Sequence, residues 1–305
     1  MNKLYSNKLI ITVLVLPALG TFFFAVLGPI LLSFYYGFTN YNALGRPVFI
    51  GLSNYAELLK DSVFWISLRN SLFLAAGFIL IQHPLAMITA AILDRLGGKL
   101  EGLFRCVYFI PNVISVAVIA YLWRLVYEPN FGLLNTVIRA LGGSGTINWL
   151  GRGNAIWSVL IVLIWHGFGW GMLIYYAGLK NISPELYEAA AIDGCTGRQA
   201  FWHITLPLMK PVIQVNVTLA VISAFKQMET VYLLTNGGPG NESQFLGNYL
   251  YKQAFNAFRY GYGNAISVVF ILVCLGATGG LSRLFRDWDW TSETRSGRRL
   301  RNAGA

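Results

Sequence analysis

The residues able to do chemistry in this sequence fall in two groups, and both suit binding better than bond-making. The first is a polar stretch at 183–211, SPELYEAAAIDGCTGRQAFWHITLPLMKP, set between long apolar runs. It reads as two short helices joined by a tight turn. Ser183 is placed to accept an N–H bond as an N-cap, Pro184 suits the first helical position, and Glu185 complements the positive end of the helix dipole. Gly194, free to take positive φ, stops the first helix. Thr196 and Gln199 have the spacing of a capping box and open the second helix. Pro207 and Pro211 are expected to end the unit and begin the next apolar run. A helix–turn–helix on a membrane loop is a handle for something outside the membrane.

The second group lies within the apolar runs themselves: Gln82, His83 and His166, then Gln214, Asn216, Thr218 and Ser223, running into Lys226, Gln227 and Glu229. Polar side chains in a span are costly and often line a pathway. The same amides and hydroxyls also bind helices to one another, and both readings stay open for each of them. His166-Gly167 sits between Trp165 and Trp170. Aromatic faces stack on the C–H faces of sugar rings while nearby polar groups hold hydroxyls. A tryptophan belt at the membrane interface is the alternative, although both tryptophans stand inside the run. Lys226 and Glu229, three apart, share a face on a helix; pairing, snorkelling at the outer end and lining a cavity are all compatible with that spacing.

Other chemistries lack their residues. There is no G-x-x-x-x-G-K-[ST] to cradle a nucleotide, no H-E-x-x-H and no G-x-S-x-G elbow. The three histidines, His83, His166 and His203, lie far apart, and acids are sparse. The chain is therefore not expected to be an enzyme, nor to hold a metal or cofactor of its own. Cys106, Cys195 and Cys274 are odd in number and widely spaced, so no disulfide framework is expected.

The elements that must position these groups follow from composition. Of 305 residues, 55% are hydrophobic and 12% charged, with a mean hydropathy of +0.54. A helix needs about 20 apolar residues to cross a hydrocarbon layer about 30 Å thick, and six runs suffice: about 9–38, 71–93, 107–123, 155–179, 207–228 and 264–281. The expected fold is all-α, a polytopic membrane protein with one transmembrane domain over 1–285. Short helices are expected at 54–59 and 133–141, and a basic, disordered tail at 286–305.

Six spans put both termini on one side. Of the 23 Lys and Arg, 14 lie on the side shared by the termini, the 94–105 loop and the 180–210 loop. The positive-inside rule makes that side cytoplasmic. The formal charge of +10 thus orients the chain in lipid; nucleic acid is not an expected partner.

The polar stretch closely resembles the EAA loop of the permease subunits of bacterial type I ABC importers, whose pattern is E-A-A, a two-residue gap, D-G, a variable segment and I-x-L-P. Here it reads Glu188-Ala189-Ala190, Asp193-Gly194 and Ile204-Thr205-Leu206-Pro207, with Cys195 where a small Ala is usual. The resemblance extends over nearly the whole chain. Tyr108-Phe109-Ile110-Pro111, Trp123 with Tyr127-Glu128-Pro129, Ala177-Gly178-Leu179, and Thr235 with Gly237-Gly238-Pro239 are similar to landmarks of the carbohydrate branch, the maltose-type and glycerol-3-phosphate-type permeases.

The resemblance implies a six-span permease in a bacterial cytoplasmic membrane. Its implied partners are a second permease subunit, two separate ATPase subunits that hold ATP and Mg, and an extracytoplasmic solute-binding protein, with a sugar as cargo. The polar stretch becomes a coupling helix: Glu188 offers a carboxylate to the ATPase, Ala189 and Ala190 allow close approach, Gly194 makes the turn, and Asp193, Ile204 and Pro207 complete the motif. Ile164–Trp170 and Ala220–Glu229 become the parts that meet the cargo, with Trp165, His166, Gly167, Trp170, Lys226, Gln227 and Glu229 as candidates. A non-sugar solute, such as a polyol phosphate or a peptide, and a stand-alone secondary transporter are the competing readings.

Overall fold

The computed structural model describes Lys8–Asp287. The expected tail at 286–305 lies almost wholly outside the described residues. The helices in chain order are α1 (residues 8–37), α2 (Ser53–Lys60), α3 (Ser62–Leu96), α4 (Gly98–Val113), α5 (Val116–Val126), α6 (Leu133–Ala140), α7 (Ala155–Lys180), α8 (Pro184–Ile192), α9 (Gly197–Lys226), α10 (Glu229–Leu234), α11 (residues 246–256) and α12 (Tyr260–Asp287). The only β feature among the described residues is an isolated bridge between Thr39 and Phe49. The all-α expectation therefore holds.

Five helices, α1, α3, α7, α9 and α12, are each long and apolar enough to cross a membrane, and α4 with α5 makes a sixth span if the pair counts as one. That third span is not the single helix expected at 107–123. It breaks after Val113 and turns by 97° into α5. Ile114 and Ser115 are extended, with ψ of 137° at each. Pro111 has no N–H to bond the carbonyl four residues back, which weakens the last turn of α4 just ahead of the break.

Elsewhere prolines are absorbed without a break. Three π-helical turns, Phe23–Leu27, Phe78–Gln82 and Phe201–Thr205, are each followed two residues later by proline: Pro29, Pro84 and Pro207. In each, the residue before the proline closes an i→i−5 bond, Gly28 N–H to Phe23 O, His83 to Phe78 and Leu206 to Phe201. A proline ring clashes with the carbonyl four residues back and offers no N–H. One extra residue in the preceding turn moves that carbonyl and lets the helix continue. Pro207 and Pro211 therefore do not end the polar unit as expected; α9 runs unbroken from Gly197 to Lys226.

The described residues form two compact units. One takes in those up to Trp65 with Gly247–Val273; the other takes in Ile66–Leu246 with those from Cys274 onward. In the first, the Asn54 side chain donates to the Gly37 and Thr39 carbonyls at 2.9 and 2.8 Å. Arg259 binds both carboxylate oxygens of Glu57 at 2.6 and 2.7 Å. In the second, α7 packs against α3, α4 and α9. Ala86, Ala90 and Leu93 of α3 meet Met172, Tyr175 and Leu179 of α7 and Met209 of α9, all buried. Small residues let these helices approach closely, which is how helices associate where lipid removes the hydrophobic drive.

Candidate functional site

A cavity of about 590 Å³ lies within the second unit, walled by α3, the break between α4 and α5, α7, α9 and α10. The sequence elements explain its polar lining. The π turn of α3 ends at Gln82 and is followed by His83, and both line the cavity while being 6% and 4% exposed. The His83 Nδ1 lies 2.9 Å from the buried Tyr175 hydroxyl. Asn112, one residue before the end of α4, lines it too and donates to the His166 carbonyl at 2.8 Å. Asn216 of α9 donates to the Gly171 carbonyl at 3.1 Å.

Of the residues singled out from sequence, His166, Gly167 and Trp170 reach the cavity from α7, and Lys226, Gln227 and Glu229 reach it from the junction of α9 and α10. The Gln82 amide lies against Gly167, where a Cβ would come within 3.2 Å of Nε2. Trp165 does not line the cavity. Its ring packs edge-on to Trp123, with centroids 5.6 Å apart and planes at 72°. That packing on Trp123 of α5 turns the Trp165 ring away from the cavity wall that His166 joins.

Lys226 and Glu229 also differ from expectation. They do not share a helical face, because α9 ends at Lys226 and Gln227 is extended with φ −60° and ψ 114°. Glu229 opens the next helix, so the two charges sit on either side of a chain break. Asn216 and Ser223 of the α9 series line the cavity, whereas Gln214 and Thr218 do not. Met228 lies inside the expected Ala220–Glu229 segment, whereas Asn112 and Thr230 of the lining, and Tyr175 behind His83, fall outside the expected parts. Asn112 left a readable signal, a lone amide beside proline inside an apolar run; Tyr175 left none that separates it from the other aromatics of α7.

The polar stretch folds as expected in its main features. Pro184 is the first residue of α8, and Glu185 lies in its first turn. Ser183 occupies the N-cap position, but its side chain makes no capping bond; its carbonyl takes the Leu186 N–H instead, at 3.2 Å. Gly194 has φ +78°. The Gly194 N–H bonds to Ala191 O at 3.1 Å and the Cys195 N–H to Ala190 O at 2.8 Å, the two bonds of a Schellman turn. The capping box is present: Thr196 N–H donates to Gln199 Oε1 at 2.8 Å, and Gln199 N–H to Thr196 Oγ1 at 3.4 Å.

The two arms are tied where Tyr187 Oη and Thr205 Oγ1 meet at 2.9 Å. Within the described chain α8 buries nothing. Glu188, Ala189 and Asp193 are exposed, Ala190 and Ile204 half-buried, and Pro207 exposed. Ile192 is 87% and Trp202 56% exposed, an unusual cost on a polar loop unless something covers them. Behind the loop, Lys180 pairs with Asp94 at 2.8 Å. Tyr176 bonds Glu101 and lies under the Arg105 and Lys180 cations, so the ends of α3, α4 and α7 are joined.

The chain matches, over residues 82–286, the family described as binding-protein-dependent transport system inner membrane component. It is 38% identical to the probable ABC transporter permease protein YurN of Bacillus subtilis, over 88% of this chain and 94% of that one. It is 33% identical to the arabinooligosaccharides transport system permease protein AraP of the same organism, over 89% and 87% of the two chains. Its fold matches a subunit of a bacterial ABC transporter involved in the import of the acidic polysaccharide alginate, with a TM-score of 0.80 over 92% of this chain and 96% of that one, at 21% identity. A helical membrane chain with a polar cavity among its spans and an exposed helical loop between two of them therefore belongs to the family of inner-membrane permeases of binding-protein-dependent ABC transport systems.

Proposed function

We propose that this chain is the permease subunit of an ATP-driven importer of neutral oligosaccharides, and that the cavity among α3, α7, α9 and α10 is its part of the cargo pathway. The observation that carries the reading is the composition of that cavity. It presents amides, imidazoles, an exposed indole at Trp170 and a hydroxyl at Ser223, and its two full charges, Lys226 and Glu229, are opposite in sign. Hydroxyl-rich, uncharged rings suit such a lining. A phosphate or a polyanion calls for an excess of cations, which this lining does not offer. The names of relatives such as the arabinooligosaccharide permease agree with that cargo.

In this reading the loop at 181–206 faces the cytoplasm and docks in a groove of a separate ATPase, which binds ATP and Mg. The positive charge of the flanking segments supports that side for the loop and for both termini. Glu188 and Asp193 supply carboxylates, Ile192 and Trp202 supply apolar contact, and the Schellman turn with the capping box makes the unit stiff. Two ATPases, a second permease subunit and an extracytoplasmic binding protein complete the assembly. Closure of the ATPases on ATP moves the loop, and the packed ends of α3, α7 and α9 pass the movement to the cavity. The change is a shift between two populated states, driven by the partner's differential affinity for them.

The test is uptake into proteoliposomes holding the complex purified on this chain, with ATP enclosed and the binding protein and sugar outside. Labelled neutral oligosaccharide is expected to accumulate only with ATP and the binding protein. Accumulation driven by a proton or sodium gradient without a co-purified ATPase would show a secondary transporter instead.

A further inference from the structure

We propose that Gln82 and His83 form a hydroxyl-reading subsite in the cavity wall, closed in the state described and open to cargo in another state of the cycle; the proposal rests on the reading of this cavity as a sugar pathway. Both side chains are more than nine-tenths buried and both belong to the lining. Each keeps one polar atom, Gln82 Oε1 and His83 Nε2, that is buried and has no hydrogen-bond partner. Asn112 and Asn216 in the same wall are committed to the carbonyls of His166 and Gly171. The α3 pair is held in reserve.

The chemistry of the two atoms selects a ligand class. His83 Nδ1 faces the buried Tyr175 hydroxyl at 2.9 Å. With that hydroxyl donating, the imidazole proton sits on Nε2, which becomes a donor, while Gln82 Oε1 is an acceptor. A free donor and a free acceptor on consecutive residues of one wall suit an alcohol, which both donates and accepts. A carboxylate or phosphate could use His83 but would set its own oxygens against Gln82 Oε1.

Buried polar groups left unpaired are costly, so a state in which a cargo hydroxyl or water reaches them is favoured by that contact. A hydroxyl that satisfies the pair therefore contributes to opening the wall. It is read by the permease independently of the binding protein.

The experiment uses the reconstituted complex with its ATPase and binding protein, maltotriose and arabinotriose as probes, and their monodeoxy analogues. Affinity for the binding protein is measured separately by calorimetry, and transport is measured with the binding protein saturated. In the wild-type complex, one analogue that the binding protein still takes is expected to be carried about tenfold more slowly than its parent, the effect of one lost hydrogen bond. In Gln82→Leu and His83→Leu the parent is expected to slow by about the same factor and the difference between parent and analogue to fall below about twofold. Equal transport of parent and all analogues by wild type overturns the subsite, and so does a difference that persists in both variants. If a leucine variant fails to assemble, the volume-conserving Gln82→Met and His83→Phe take its place, and equal wild-type transport of parent and analogues still overturns the subsite. A wild-type complex that carries no neutral oligosaccharide overturns the proposed function itself.

Discussion

The Asn112 side chain donates to the His166 carbonyl at 2.8 Å, across 54 residues of sequence. It joins the last turn of α4, just before the chain bends by 97° into α5, to the turn of α7 that faces the cavity. The bend thus has a fixed anchor beside the proposed pathway. Asn112→Leu keeps the volume and removes the donor. The expected cost is about 1 kcal/mol in thermal unfolding of the detergent-solubilised complex, with slower uptake at unchanged binding-protein affinity. Wild-type stability and uptake would show the bond to be incidental.

The same two helices meet more tightly at Gly169. A Cβ there would lie 2.1 Å from the Tyr108 carbonyl oxygen, a backbone atom that cannot step aside. At Gly178 the added carbon would meet Met209 Cε and Sδ at 2.9 Å and Val212 Cγ1 at 3.1 Å, and the nearest of these belong to a flexible side chain. Gly169→Ala is therefore expected to cost about 3 kcal/mol or more and Gly178→Ala about 1 kcal/mol. Expression level and melting temperature of the two variants check the order. A reversed order would mean that α4 can shift away from α7 more easily than a methionine can repack.

Much of this was legible in the sequence. The spans at 155–179 and 264–281 lie inside the observed α7 and α12, and the two short helices appear close to their expected places, because long apolar runs and local punctuation fix those elements without tertiary help. The loop was readable for the same reason: Pro184, Gly194 and Thr196 with Gln199 act through bonds to near neighbours. What failed depended on geometry over distance. The 97° break after Val113 looks like one span in a hydropathy profile. Trp165 stands next to His166 in the sequence, yet its ring packs on Trp123 and does not line the cavity, a choice made by a partner 42 residues away. Lys226 and Glu229 were given one helical face, and the chain breaks between them.

The loop yields a prediction that separates turn geometry from contact chemistry. Gly194 has φ +78° and nothing within 4 Å of an added Cβ, so Gly194→Ala is strained by backbone alone, by about 1 kcal/mol. Ile192→Asp alters only an exposed surface, at 87% accessibility. Under the docking reading both variants insert and assemble with the second permease. Ile192→Asp and Glu188→Ala lose the ATPase on purification or lose sugar-stimulated ATP hydrolysis, with uptake reduced at least about tenfold. Full retention of the ATPase and of uptake in both surface variants would sink the idea that α8 is the docking element.

Asp61 supplies a prediction in pH. Its carboxylate accepts from Tyr249, from the Tyr262 hydroxyl at 2.6 Å, and from the Val63 and Phe64 N–H groups at 2.9 and 3.3 Å. Burial pushes against ionisation, but those donors outweigh it and hold the carboxyl below its ordinary range. A depressed folded value means that the charged form is the one the fold favours. The stabilisation is then fully present above the unfolded value, about pH 4, and is lost as pH falls through the lower folded one. Asp61→Asn keeps the shape and removes the charge. The wild type is expected to exceed it by about 1–3 kcal/mol near neutrality, with the gap constant down to about pH 5 and closing below about pH 4. Melting curves of both proteins in detergent from pH 7 to the acid limit check this. A gap that stays open at low pH would mean that Asp61 contributes through geometry rather than charge, and that its hydroxyl partners hold the protonated form equally well.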